Sequence, residues 1–372
     1  MRRTTWIKTL VAALALGATS SAQAGLLISE IYFNSPGSPD TRLEYIELCG
    51  LPNVALDDHY LIFLENENDE FNSLNPGQIE NIFDLSGMTL GSNGYMVLGQ
   101  KDTFYPAISG AFDVLVPANP AAPTIAESLK TLPNGAHAYV NRDTGSGFGN
   151  GATSSIQHVG QNNELEGSGF TAMLIRVDTG LGGVAPVFED DLDLDNNGLD
   201  VSTGQVGWSI LDSIGVFGEP DETAHGRLYA AVNFGPGAIS NLGPGGLEPG
   251  ATYIDTSPAV NELEYISRVG VGTNETNWMV ANLTNDPASG YTNAQRNYAI
   301  SGNHANLSNP EVYVGNVLGP SPFAYGTDIT VTFGADNVGF DGTHVPEPSS
   351  LILALFGASA SAVAVIRRRR VR

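Results

Sequence analysis

Short apolar runs alternate with polar punctuation along most of this chain. The runs "LLISEIYF" (26–33), "EYIELCG" (44–50), "YLIFLE" (60–65), "GYMVLG" (94–99), "FTAMLIRV" (170–177), "RLYAAVNF" (227–234) and "DITVTF" (328–333) are rich in Val, Ile, Leu, Tyr and Phe. Turn formers separate them, drawn from 44 Gly and 21 Pro spread along the sequence. Between the termini no long stretch keeps a helical period, so the pattern predicts an all-β sandwich or barrel. Several runs mix alternation with unbroken apolar stretches, as expected of strands covered on both faces. "EYIELCG" recurs in part as "EYISRVG" (264–270). With four identities in seven, the recurrence reads as chance similarity of two half-buried strands rather than two related halves.

The two ends break this pattern. Arg2, Arg3 and Lys8 precede the apolar "LVAALALGA" (10–18), and "AQA" follows at 22–24. Charge, apolar stretch and small residues in that order predict a secretory signal peptide over 1–24. Ala22 and Ala24 would be read by signal peptidase, with Gly25 opening the mature chain. At the other end Leu351 to Ile366 carries no charge. As a helix it would span about 24 Å, somewhat short of the ~30 Å hydrocarbon core. Flanking arginines that snorkel can cover the difference. Arg367, Arg368, Arg369 and Arg370 form a stop-transfer block that stays cytoplasmic, leaving the body outside. Just upstream, the prolines of "VPEPSS" block helix propagation and predict an extended, accessible strand at the membrane face.

Charge narrows the partners. All 40 acidic residues lie between Gly25 and Ser350, whereas three of the 16 basic residues are in the leader and five in the last 22 residues. The body therefore has eight basic against 40 acidic residues, a net of −32. Such a field repels phosphate backbones and attracts cations, which excludes nucleic acid as a partner. Cys49 is the sole cysteine, so stability must come from packing, with or without bound ions, rather than an internal disulfide.

Pro-Glu-Pro, one apolar helix and a terminal Arg cluster resemble the PEP-CTERM sorting signal of Gram-negative bacteria. The resemblance covers Val345 to Arg372, with Pro346, Glu347 and Pro348 at the motif positions. It implies recognition by exosortase, an integral-membrane processing enzyme that removes the helix. Delivery to the cell surface or the extracellular polysaccharide matrix would follow, with the inner membrane a station in transit. A permanent C-terminal anchor is the alternative.

Two further segments, "LLISEIYFNSPGSPDTRLEYIELCG" (26–50) and "IFDLSGMTLGSNGYMVLGQ" (82–100), resemble the lamin-tail domain. That resemblance implies an immunoglobulin-like β-sandwich, with Asn93-Gly94 as a tight turn. The expected organisation is a signal peptide at 1–24, a lamin-tail-like body at 25–285, a β-rich extension and stalk at 286–344, and a sorting signal at 345–372 whose transmembrane helix is 351–366. The looser stretch 101–166 reads as an insertion or a second β-unit.

For chemistry, "EDDLDLDNNGLD" (189–200) is the strongest candidate. Asp193, Asp195 and Asn197 at alternate positions before Gly198 match the first half of a calcium loop, with Leu199 offering its carbonyl. The closing acid is missing, since Gly204 occupies that position, and Asp200 or Asp191 would have to substitute. The competing reading is a solvated, metal-free acidic turn. Trp208 reads as a core anchor. "EPDETAH" (219–225) could hold zinc through His225 but reads better as a surface loop. No H-E-x-x-H, G-x-S-x-G or P-loop motif is present in the sequence. The expectation is a non-catalytic exported β-sandwich acting in structure or adhesion, with cations bridging its acidic surface to polysaccharide. The alternatives are a secreted metal-dependent hydrolase whose site only the fold assembles, and a stably anchored surface protein.

Overall fold

The computed structural model describes residues 25–33, 44–67, 74–101, 103, 123–165, 167, 169–200, 207–219, 226–243, 246–256, 263–268, 270, 272–273, 277–282, 312–314, 316–318, 328–330 and 334–335. Two sheets stand face to face. The first has eight strands in the order β16-β14-β13-β1-β2-β5-β7-β6, and the second seven in the order β12-β11-β10-β9-β3-β4-β8.

The first sheet is built on β1 (Leu27–Tyr32), β2 (Tyr45–Cys49), β5 (Tyr95–Gly99), β6 (Leu129–Thr131), β7 (His137–Val140), β13 (Tyr265–Arg268), β14 (Trp278–Asn282) and β16 (Asn316–Leu318). The second holds β3 (His59–Glu65), β4 (Ile79–Asp84), β8 (His158–Gly160), β9 (Gly169–Val177), β10 (Trp208–Phe217), β11 (Val232–Gly235) and β12 (Thr252–Asp255). β15 (Val312–Val314) and β17 (Asp328–Thr330) form a two-stranded sheet of their own. The one α-helix among the described residues, α1 (Ile125–Ser128), is a single turn closed by a capping box between Thr124 and Glu127. Most neighbouring strands run antiparallel, but β5 and β7 pair in parallel, as do β10, β11 and β12.

The apolar runs become strands because each has somewhere to bury both faces. In β3, Leu61 and Phe63 enter the core between the sheets, while Ile62 and Leu64 join a second cluster on the outer face. Strand β9 divides in the same way, Phe170, Ala172 and Leu174 against Met173, Ile175 and Val177. Period-two geometry sends alternate residues to opposite faces, so an unbroken apolar run requires two covers. Phe170 is the hinge of the inner core, its ring edge-on to Phe33 at 4.9 Å and to Phe63 at 5.0 Å.

The stretch expected as an insertion at 101–166 contributes to both sheets in its described part, with β6 and β7 in the first and β8 in the second. The boundary expected at 285 also falls inside a sheet, because β16 pairs with β14. "RLYAAVNF" forms a strand only from Val232. Its first half runs as loop and places Arg227 and Tyr229 against the acidic segment.

Strands β2 and β13 give the partial repeat a physical meaning. They flank β1 on its two sides, with Ile31 opposite both Ile46 and Ile266, and Tyr32 opposite both Tyr45 and Tyr265. The shared "EYI" thus occupies equivalent positions about one central strand. The similarity follows from a common environment, which the strand-by-strand reading treated as coincidence.

Candidate functional site

The acidic segment lies across the outer face of the second sheet and is fastened there by backbone pairing. Glu189 N–H donates to Ile79 O (2.9 Å), Ile79 N–H donates to Asp190 O (3.0 Å), and Leu192 N–H reaches Gly77 O (3.0 Å). Leu192 is buried among the outer apolar residues of β3, β4 and β9, with Phe188, Leu199 and Trp208 packed beside it. Apolar residues set between the acids therefore act as pegs. Trp208 is part of this cover rather than of the inner core, and its indole N–H donates to Val184 O (2.7 Å).

Asp193 is fully buried beneath this cover. Its Oδ1 accepts the backbone N–H groups of Asn197 (2.8 Å) and Gly198 (3.0 Å), closing the turn. Gly198 has φ +126, and a Cβ there would stand 3.0 Å from Glu248 Oε1, so both conformation and space favour glycine. Asp193 Oδ2 accepts from Arg227 Nη1 (3.1 Å) and Tyr229 OH (2.9 Å). A buried carboxylate needs a cation or several donors, and here it has both. Burial, and secondarily Asp193, push the Tyr229 hydroxyl far above its ordinary range, so it stays a donor.

This geometry does not fit the expected calcium loop. The oxygen of Asp193 that would face an ion faces a guanidinium instead. Asp195 and Asn197 pair with each other at the surface (2.6 Å). Leu199 presents its N–H to Glu248, and Asp200 N–H bonds Leu192 O (2.6 Å). Among the described residues no group of three or more His, Cys, Asp or Glu side chains is gathered to hold a metal. Arg227 takes the cation's place on Asp193. Sequence spacing could not reveal this, because Arg227 and Glu248 lie 34 and 55 positions downstream of Asp193.

A second buried pair ties the two sheets together. Arg268 of β13 reaches Asp212 of β10, whose Oδ2 also accepts the Ile28 N–H (2.8 Å). The Trp278 ring lies over the guanidinium at 4.0 Å. Burial lifts the Asp212 carboxyl above its ordinary range, and Arg268 opposes that shift. On the outer face of the first sheet, the fully buried Glu30 accepts from the hydroxyls of Tyr45 and Tyr265. Burial and then Glu30 hold Tyr265 well above the usual phenol range.

The histidines are dispersed. His158 is fully buried, with Nδ1 by Gly149 O and Nε2 by Asn81 Oδ1 (2.9 Å), and burial lowers its pKa to about 4. His59 Nδ1 sits by Asp57 O (2.8 Å), and His137 Nδ1 by Thr89 O (2.9 Å). His225, with Asp221 and Glu222, lies outside the described residues, as do His304 and His344. The same holds for Ala22, Ala24, Pro346, Glu347, Pro348 and Arg367 to Arg370, whereas Gly25 is described and exposed. Among the described residues no helix is long and apolar enough to cross a membrane, and the expected span 351–366 falls outside them.

Sequence reading missed Arg227, Tyr229, Glu248, Asp212, Arg268 and Trp278. One signal was available. With only eight basic residues in a body of 40 acids, each arginine is a scarce partner for a buried carboxylate.

Comparison with known proteins adds one finding. No curated protein and no solved structure matches the chain significantly. Residues 344–370 match the PEP-CTERM protein-sorting motif, which marks an exported protein of Gram-negative bacteria that exosortase processes on its way to the cell surface.

Proposed function

We propose that this protein is a non-catalytic β-sandwich of lamin-tail-like, immunoglobulin-like kind, released by exosortase into the extracellular polysaccharide matrix for a structural or adhesive role. The sorting motif at 344–370 carries this reading. The interior supports it, because two buried acids with cationic partners, Asp193 and Asp212, are committed to holding loops and sheets. The strongly acidic remainder suits an exterior that draws in cations and, through them, acidic glycans.

The test is fractionation of the native cell followed by mass spectrometry of the intact protein. The expected product starts at Gly25, ends near Pro348 and is enriched in the surface and matrix fractions. Retention of Arg372 in the membrane fraction would replace release with permanent anchoring. A deletion strain whose matrix cohesion and surface attachment equal those of the parent would remove the adhesive role.

A further inference from the structure

The last described residues dock on the sandwich. Gly334 is buried, and its N–H donates to Glu47 Oε2 of β2 (2.5 Å). Its carbonyl accepts from Asn93 Nδ2 (2.6 Å) and Asn134 Nδ2 (3.0 Å). Asn93 stands just before β5 and Asn134 just before β7. Strand register puts both turns at one end of the first sheet. Cys49 lies opposite Leu27 and Tyr95, and Met96 beside His137. The expected mature start therefore lies at this end too, with Leu26 against Gly50.

Three turns knit into one corner there. Gly50 N–H bonds Gly94 O (2.9 Å), Asn53 N–H bonds Gly91 O (3.0 Å), and Ser92 N–H bonds Gly135 O (2.8 Å). Residues 50–56, 90–96 and 131–138 contain no Asp, Glu, Lys or Arg, in a body whose net charge is −32. Exposed Asp57 and Asp58 border the first turn as the chain leads into β3 of the other sheet, and Glu47 at the clamp is buried.

Chain length keeps the membrane within reach of this corner, and charge selects which end faces it. Pro346 follows Gly334 by twelve residues, so even a fully extended connection keeps the sorting motif within about 40 Å of the clamp. The motif in turn abuts the apolar run. Anionic headgroups repel an acidic surface and tolerate a neutral one. The geometry points to this corner, formed by turns 50–56, 90–96 and 131–138 around Gly334, as the surface that faces an anionic lipid membrane while the tail is inserted. The inference rests on the sorting reading above. It adds an orientation, with the acidic segment at 189–200 turned away from the lipid.

The full chain with Cys49→Ala and one new cysteine tests it. Ser92→Cys marks the corner and Ser240→Cys, beyond β11, marks the opposite end; both positions are exposed. Each labelled chain is reconstituted into phosphatidylglycerol-containing vesicles bearing a headgroup energy-transfer acceptor. The longest strand, β10, has ten residues; the ends are thus separated by about 33 Å, and transfer from Ser92→Cys is expected to exceed that from Ser240→Cys at least about twofold. Adding Asn93→Ala and Asn134→Ala, which loosen the exit, should shrink that ratio. Equal or reversed transfer in chains that float with the vesicles overturns the orientation alone. Chains that fail to float overturn the tail reading, and the orientation with it.

Discussion

At the scale of single residues, the interior depends on a few charges whose partners are far away in sequence. Replacing Arg227 with Met leaves Asp193 buried without its guanidinium, a loss expected to cost about 3–5 kcal/mol. Denaturant unfolding measures it, and a cost below about 1 kcal/mol would mean that the turn N–H groups and Tyr229 suffice. His158 gives a pH signature. Its folded pKa of about 4 lies below the ordinary 6.5, so the unfolded chain takes up a proton that the folded chain refuses. The stabilisation is therefore complete above pH 6.5 and is lost as pH falls toward 4. The full effect is on the order of 3 kcal/mol. Thermal melts from pH 7 to pH 4.5 should show a falling Tm, and His158→Gln should flatten that part of the profile. An unchanged slope would place the acid sensitivity elsewhere.

At the scale of elements, β1 organises the first sheet because its neighbours repeat one chemistry on either side. Tyr45→Phe and Tyr265→Phe each remove a donor from Glu30, at an expected cost of about 1–3 kcal/mol. Both hydroxyls share one acceptor, so the double variant should depart from additivity by about 0.5–3 kcal/mol in a double-mutant cycle. Simple additivity would show that the two tyrosines act independently. Between sheets, Arg268 and Asp212 join β13 to β10 under Trp278. Arg268→Leu should lower stability by about 3–5 kcal/mol, since it strands a buried carboxylate. The strands themselves were legible in the sequence, because alternation and β-branched content are local. Their partners were not. The parallel pairing of β10 with β11, and the pairing of β8 with β4 and of β16 with β14, which are not neighbours in sequence, depend on which faces remain to be covered.

At the scale of the whole molecule, charge and connection dominate. A body carrying 40 acids against eight bases repels itself, so raising ionic strength toward ~0.15 M, where the screening length is about 8 Å, should raise Tm. A Tm that falls with salt would mean that attractive pairs outweigh the repulsion. The clamp on Gly334 extends the folded body to within twelve residues of the sorting motif. The segment read as extension and stalk therefore supplies strands β15 to β17 and a docked residue as well as a tether.

The sequence alone determined the sorting motif, the absence of an internal disulfide, the all-β class and most strand positions. Each of these follows from residues adjacent along the chain. A run of small and apolar residues, a Pro-Glu-Pro before a greasy segment and a period of two are local patterns, readable without folding. Only the tertiary structure decided the fate of Asp193. The same Asp-x-Asp-x-Asn-Gly spacing can wrap an ion or close a turn on a protein cation, and the choice lies with groups outside the loop. Arg227, Tyr229 and Glu248 reach it from loops flanking β11. The burial that makes them necessary comes from a sheet whose strands are scattered over the chain.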